Sequence, residues 1–497
     1  MSITSLLFAA CCLIVILIYW HLPSRYRTWW LFAVSVAFLI TWSWELAAIM
    51  LVVATVNFYL GHWLGIAANG RRSLLWIGIG FNVIVLVALK YSDFYVSALT
   101  RLVERLGFQT GAGGLQLLAP VGLSFATVQM ISYLVDINER IVKPEARWME
   151  FALYVVYFPK MLSGPVERAR VILPRIKQPQ APDSDSAQRY FWLIVMGVIR
   201  KIVLANTLSV LIPADAFVHP NAYQGQDLLL YLLTYAFAIY NDFAGYTSIV
   251  RGISGFLGIE LTSNFKLPYF SRNFNEFWER WHISLSNWLR DYIFFPVSRV
   301  LLKQNRNREH VANLVLPPLA TMLVSGMWHG LGWNFLLWGG LHSIYLIVER
   351  VTTLRSIKRL PDEWPKWRQA FSALGVFAFV ILAWIPFRMD VSTAWQYFLR
   401  MARTLKWIKL AFWFLREKIL GVVAWNNWVG LHALDIRILV MLSLAFIFDW
   451  MQYRHKDETF FAVWPAWAKA LSLSLLAMLL IIFSLASTGT PFIYQGF

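Results

Sequence analysis

Long apolar runs alternate with short polar breaks along almost the whole chain. The runs fall near 3–21, 29–43, 46–66, 73–90, 114–134, 149–164, 190–212, 228–256, 313–328, 331–349, 370–387, 437–451 and 467–487. A helix needs about 20 such residues to cross the hydrocarbon layer. The pattern predicts an all-α, polytopic membrane protein with about eleven to thirteen membrane helices, some of them half-spans or re-entrant pieces. The first run starts near Ile3 with no Lys or Arg before it, and no small-residue cleavage site follows. It reads as a retained helix and not as a signal peptide.

One segment breaks the pattern. From Ser271 to Pro296, Trp278, Trp281, His282, Leu285, Trp288, Leu289 and Tyr292 recur at steps of three and four, while Glu276, Glu279, Arg280, Asn287 and Arg290 take other faces. That is an amphipathic helix, too polar to span, lying along the interface or at an entrance. Glu276 and Arg280 stand one turn apart and are expected to pair. Pro296 is expected to stop the helix.

Three further stretches are polar: 166–189, basic with three prolines; 350–369, with Pro361 and Pro365; and 400–436, where Arg and Lys mix with Trp and Phe as in interfacial helices. No internal repeat or second soluble domain is visible. The expectation is one membrane domain, with peripheral helices over 1–110, a core over about 114–350 and C-terminal helices over 370–497.

Composition agrees with that reading. The 497 residues are 59% hydrophobic and 14% charged, where a soluble domain carries about 25% charged residues. The net charge of +17 lies mostly between apolar runs, as expected for loops facing an anionic leaflet. The implied partners are membrane lipids and not nucleic acid. Arg25 and Arg27 in the first loop, with Arg71 and Arg72 in the third, place those loops in the cytoplasm and the N-terminus outside; Arg101 and Arg105 fit less well. Cys11 and Cys12 share the first run and read as packing residues.

Two histidines carry the candidate chemistry. His329 lies in GMWHGLGWNFLLWGGLH, Gly326 to His342, between two apolar runs. Basic clusters flank that pair of runs: Arg299, Lys303, Arg306 and Arg308 before, and Arg350, Arg355, Lys358 and Arg359 after. Like flanks predict a hairpin. Its glycines suit a tight bend or positive φ, and irregular backbone at membrane depth belongs where it lines a cavity or is buried in protein. His282, on the aromatic face of the amphipathic segment, is the second. His342, farther along the hairpin, reads as structural, its ring bonded to a neighbouring helix. There is no HExxH, Cys–His spacing or Gly-rich phosphate loop, so no metal and no bound cofactor is expected.

Several stretches resemble the membrane-bound O-acyltransferase (MBOAT) family, in its bacterial branch of alginate O-acetylation and D-alanyl transfer membrane proteins. They are PVGLSFATVQMISYLVD (Pro120–Asp136), YFPKMLSGPVERA (Tyr157–Ala169), YNDFAGYTSI (Tyr240–Ile249), FWERWHISLSNWLRDYIFFP (Phe277–Pro296) and the His329 loop. The likeness runs over most of the chain and is weak over 390–465. It implies that His329 matches the family's essential histidine and His282 a second functional polar position. An acidic residue often follows the GYT/S pattern, where this chain has Ser248; Asp242 is the nearest carboxylate for an orienting role. The ending PFIYQGF resembles tails in which a tyrosine is proposed to relay the acyl group, here Tyr494 between Phe492 and Phe497.

Acyl transfer from a thioester to a hydroxyl needs a base and a donor for the oxyanion. A buried imidazole is neutral at pH 7 and can accept a proton, and Tyr494, near pKa 10, needs such a base to become a nucleophile. The resulting expectation is an O-acyltransferase in the bacterial inner membrane. It would take an acetyl group from cytoplasmic acetyl-CoA, to which basic loops such as 166–177 are suited, and serve an extracytoplasmic polysaccharide such as an alginate-like polymer through a separate acetylation partner protein. D-alanyl transfer from a carrier protein to a teichoic-type polymer is the alternative enzyme. A proton-relay transporter or an export-complex scaffold is the alternative outside enzymes.

Overall fold

The structure is a computed structural model that describes residues 3–90, 105, 122–355, 363–403 and 433–486. Tyr494, most of the 400–436 stretch and part of the 114–134 run lie outside the described residues. Every regular element among the described residues is helical. Seven described helices are long and apolar enough to cross a membrane: Trp44–Ile66, Arg71–Lys90, Ser184–Val210, Gly225–Phe256, Val311–His329, Lys366–Arg388 and Ile436–His455. Leu6–His21 and Ala466–Met478 are shorter apolar helices. The run at 149–164 is not one continuous helix. It breaks at Tyr157 into Trp148–Val156 and the single turn Phe158–Met161, with Pro159 in that first turn, where its missing N–H is tolerated.

Two compact units divide the chain: Met1–Ile194 with Thr247–Ser263, and Val195–Tyr246 with Asn264–Phe497. In the first unit, several polar groups buried among apolar helices are matched with partners, because an unpaired one costs free energy. Asn57 and Asn82 exchange amide hydrogen bonds of 3.0 and 2.8 Å, and each also donates to a carbonyl one turn back in its own helix. The fully buried Lys160 donates to Gln129 Oε1 at 2.5 Å and lies 4.9 Å from the centre of the Tyr154 ring. The Glu167 carboxylate accepts from the Thr262 N–H at 2.6 Å and its hydroxyl at 3.2 Å.

In the second unit, the helix that begins in Ser184–Val198 continues through a π-helical stretch, Ile199–Asn206. It packs backbone against backbone on the helix Gly225–Phe256 at Gly245, where a Cβ would stand 2.7 Å from both Gly197 O and Lys201 N. This approach sets two consecutive cations against that helix. Arg200 donates to Asn241 Oδ1 at 2.7 Å and to Asp449 Oδ1 at 2.6 Å, and Lys201 pairs with Asp242. Ions inside an apolar bundle are tolerated when paired in this way.

The two runs around His329 form the predicted hairpin, with helices Val311–His329 and Trp333–Arg355. The glycines serve it differently from the expected turn chemistry. Gly330 is extended, at φ −175°, which any residue adopts. Their role is close approach: a Cβ at Gly326 would lie 2.4 Å from Phe335 O, and one at Gly339 would lie 2.4 Å from Met322 O. Small residues let helices in lipid bring their backbones together, since no hydrophobic force drives them.

Candidate active site

All of the site described here belongs to the second unit. The Ser271–Pro296 segment is not one helix. Asn273 caps Phe274–Arg280 by accepting from Glu276 N at 2.7 Å, and the Glu276 carboxylate takes Arg280 at 2.5 Å and Arg272 at 3.0 Å. The helix then stops at Trp281, and a new one runs from Ile283 to Leu289. The residue at the corner is His282, in the left-handed region at φ 43°, ψ 53°. Few residues other than glycine take that conformation, which costs about 1–2 kcal/mol, and such outliers gather at functional sites. Asn264 holds the corner: its backbone carbonyl accepts from Ile283 N at 2.9 Å and its Oδ1 from the Ser284 hydroxyl at 2.6 Å. A π turn, Arg290–Phe294, leads into Phe295–Gln304. Pro296 lies in the first turn of that helix and does not end its predecessor.

The corner turns His282 inward, where it is 1% exposed. The Phe243 ring meets it edge-on at 4.8 Å, and Trp328 does so at 6.1 Å. Burial pushes the His282 ring from 6.5 down to about 3, so it is neutral at physiological pH. Its neighbour Trp281 is stacked on Phe277 at 5.7 Å and packs against Trp384 at 5.0 Å.

His329 ends its helix and is 5% exposed. Three rings meet it edge-on: Trp328 at 4.8 Å, Phe387 at 5.1 Å and Trp338 at 5.2 Å. His282 and His329 are thus brought to one indole, Trp328. His342 also meets Trp338, at 5.0 Å, and is stacked at 6.1 Å on Phe277. The expected bond to a neighbouring helix is not made by its Nδ1, which has no hydrogen-bond partner. Aromatic packing holds the ring instead.

Asp242 sits one residue from Phe243, and its carboxylate pairs with Lys201. The contact to His282 comes from Phe243, the next residue on the same helix. Tyr494 lies outside the described residues. Among the described residues no three of His, Cys, Asp and Glu come together as a metal site.

A cavity of about 470 Å³ adjoins this cluster, lined among others by Trp278, Asn275, Asn287, Thr321, Arg290 and Arg350. Neither histidine lines it. Trp278 stands between: its ring meets Trp338 at 5.8 Å, and Trp338 meets His329. Arg290 and Arg350 give the cavity two guanidinium groups, suited to phosphate or carboxylate. The sequence carried these residues only as a polar face and a loop flank; the convergence on one cavity has no one-dimensional signature.

Comparison with known proteins gives this geometry a context. The sequence profile of MBOAT, the membrane-bound O-acyltransferase family, matches residues 143–385, a stretch that includes His282, His329 and the cavity. The chain is 30% identical over 390 residues to the probable alginate O-acetylase AlgI of Azotobacter vinelandii, covering 77% of this chain and 74% of the relative. It is 29% identical over 390 residues to the peptidoglycan O-acetyltransferase of Helicobacter pylori, covering 72% and 70%. It is 28% identical over 305 residues to the teichoic acid D-alanyltransferase of Streptococcus thermophilus, covering 57% and 71%. This multi-pass membrane protein is an acyltransferase and belongs to the membrane-bound O-acyltransferase family.

Proposed function

We propose that the protein transfers an acetyl group from cytoplasmic acetyl-CoA toward hydroxyls of an extracytoplasmic polysaccharide, working in the bacterial inner membrane. The observation that carries the reading is His329, enclosed by aromatic rings and separated by Trp338 and Trp278 from a cavity bearing two arginines. The names of the relatives from Azotobacter vinelandii and Helicobacter pylori, both acetyl-transferring, favour acetyl over other acyl groups.

Arg290 and Arg350 would hold the phosphates of the donor, with its thioester arm directed past Trp278. Arg350 belongs to the basic flank that charge bias assigns to the cytoplasm, the side on which acetyl-CoA is made. His329 takes the proton of the attacking hydroxyl. The hydroxyl oxygen bonds to the thioester carbon, and the carbonyl electron pair moves to its oxygen. Collapse expels the thiolate, which takes up the proton. The general-base contribution is about 10²–10⁴ in rate. His282, neutral through burial, polarises a polar group of the acyl donor or acceptor. Tyr494 would be the first acceptor if its phenol relays the group, and a separate extracytoplasmic protein would complete transfer to the polymer.

The test is ester content of the envelope polymer in cells fed labelled acetate. Wild-type protein incorporates label, and His329→Ala at equal abundance does not. Incorporation of labelled alanine in place of acetate would assign D-alanyl transfer, the activity named for the Streptococcus thermophilus relative. Full acetylation by Tyr494→Phe would remove the relay.

A further inference from the structure

Beside His329 are two polar hydrogen donors that the protein leaves unused. Trp338 is 1% exposed, and its indole Nε1 has no hydrogen-bond acceptor. Ser325 is also 1% exposed, and its hydroxyl has no partner. Ser325 precedes His329 by one turn on the same helix, so the two share a face. Trp338 touches His329 directly, ring to ring at 5.2 Å and 85°. Buried indole N–H groups usually find an acceptor, because leaving one without forfeits the hydrogen bond it made to water. Two such groups, one on a ring that touches this imidazole and one a helical turn before it, call for an explanation.

Packing around Trp338 is not loose. His342 meets its ring at 5.0 Å, Phe387 at 5.3 Å, Trp278 at 5.8 Å and Trp384 at 6.4 Å. The helix that carries it is pinned to the His329 helix by the backbone contacts at Gly326 and Gly339. The indole is therefore a rigid donor, held at a fixed position relative to the His329 ring. Electrostatic stabilisation of an oxyanion requires such a group: oriented in advance, dry, and not already engaged by an acceptor.

Resting on the acyl-transfer reading above, we infer that Trp338 is a catalytic residue whose Nε1–H donates to the acyl carbonyl oxygen of the donor, with the Ser325 hydroxyl as a second donor. As the acceptor oxygen bonds to the carbonyl carbon and its proton passes to His329, the carbonyl oxygen becomes an anion. The Trp338 and Ser325 donors bind it until the carbon–sulfur bond breaks and the double bond re-forms. The ligand class is a planar acyl carbonyl, and its oxygen supplies the acceptor that both groups lack.

The experiment uses the full chain in membrane vesicles supplied with radiolabelled acetyl-CoA, and follows label transfer at varied donor concentration. Trp338→Phe keeps an aromatic ring and removes the N–H. The expected result is a kcat lower by about 10²–10³, with KM within about threefold of wild type. A second variant replaces the indole by its sulfur isostere, β-benzothienylalanine, which fills the same space without a donor. It should match Trp338→Phe in rate and wild type in thermal midpoint. An isostere with wild-type kcat overturns the proposal and leaves Trp338 as packing. Ser325→Ala should lose less, about tenfold, and full activity of both Ser325→Ala and the isostere overturns both donors. His329→Ala runs in parallel. If it retains full transfer, the acyl-transfer reading fails; if it is inactive while the isostere is not, only the Trp338 inference fails. Should wild-type vesicles accept a D-alanyl thioester and not acetyl-CoA, the same comparison is made with that donor.

Discussion

His282 and His329 meet the same indole: Trp328 lies 6.1 Å from the first ring and 4.8 Å from the second, close to perpendicular to both. One comes from a backbone corner in the left-handed region and the other from a helix end. Replacing Trp328 by Leu removes the shared wall and keeps both imidazoles. Acyl transfer is expected to fall at least tenfold with the protein still folded. Label transfer compared with the thermal midpoint of the purified protein checks this.

Burial sets the pH response of His282. Its pKa of about 3 lies below the 6.5 of the unfolded chain. Between those values the unfolded state binds the extra proton, so the stability this group contributes is complete above about 6.5 and lost as pH falls towards 3. The slope from one such group is at most about 1.4 kcal/mol per pH unit. Thermal midpoints from pH 7 to pH 4 should fall less steeply in His282→Asn, which also tolerates the left-handed backbone. An unchanged slope would exclude His282 as the source.

The hairpin depends on close backbone approach. Gly326→Ala places a methyl 2.4 Å from Phe335 O, and overpacking of this kind costs about 1–3 kcal/mol. Gly340, with nothing within 4 Å of its Cβ position, is the control: Gly340→Ala should leave the thermal midpoint unchanged or raised, and Gly326→Ala should lower it.

The Arg200–Asp449 pair is buried on both sides, at 5% and 2% side-chain exposure. Removing one partner strands the other charge and costs about 3–5 kcal/mol. Arg200→Leu and Asp449→Leu should each destabilise strongly, and the double variant much less than their sum. A double-mutant cycle on unfolding midpoints reads the coupling.

The cavity arginines separate donor binding from chemistry. Arg290→Gln and Arg350→Gln should each raise the KM for acetyl-CoA about tenfold, the worth of one charge-assisted hydrogen bond to phosphate. Their kcat should stay within about twofold. A loss confined to kcat would place neither residue on the donor.

The hydrophobic pattern made the membrane class and the His329 hairpin legible, because an apolar run of helical length between like-charged flanks has few other solutions. The break at His282 was not legible. The residues at 274–280 and 283–289 keep one helical periodicity across it, and the corner is held by bonds to Asn264 and Lys266, which precede it in the chain. The break of the 149–164 run at Tyr157 was hidden for a related reason: its apolar composition outweighed Pro159. Asp242 was visible as a carboxylate near a motif, but its partner Lys201 lies on another helix.

By itself the chain determined its solvent, its helices and the residue types capable of acyl-transfer chemistry, since these follow from composition, run length and local spacing. Tertiary structure alone decided that Trp338 would touch His329, that Trp328 would serve both histidines, and that Arg290 and Arg350 would share a cavity. Those relations join segments whose separation along the chain carries no period. They are set by how closely glycine-bearing helices approach and by which buried polar groups find partners when they do.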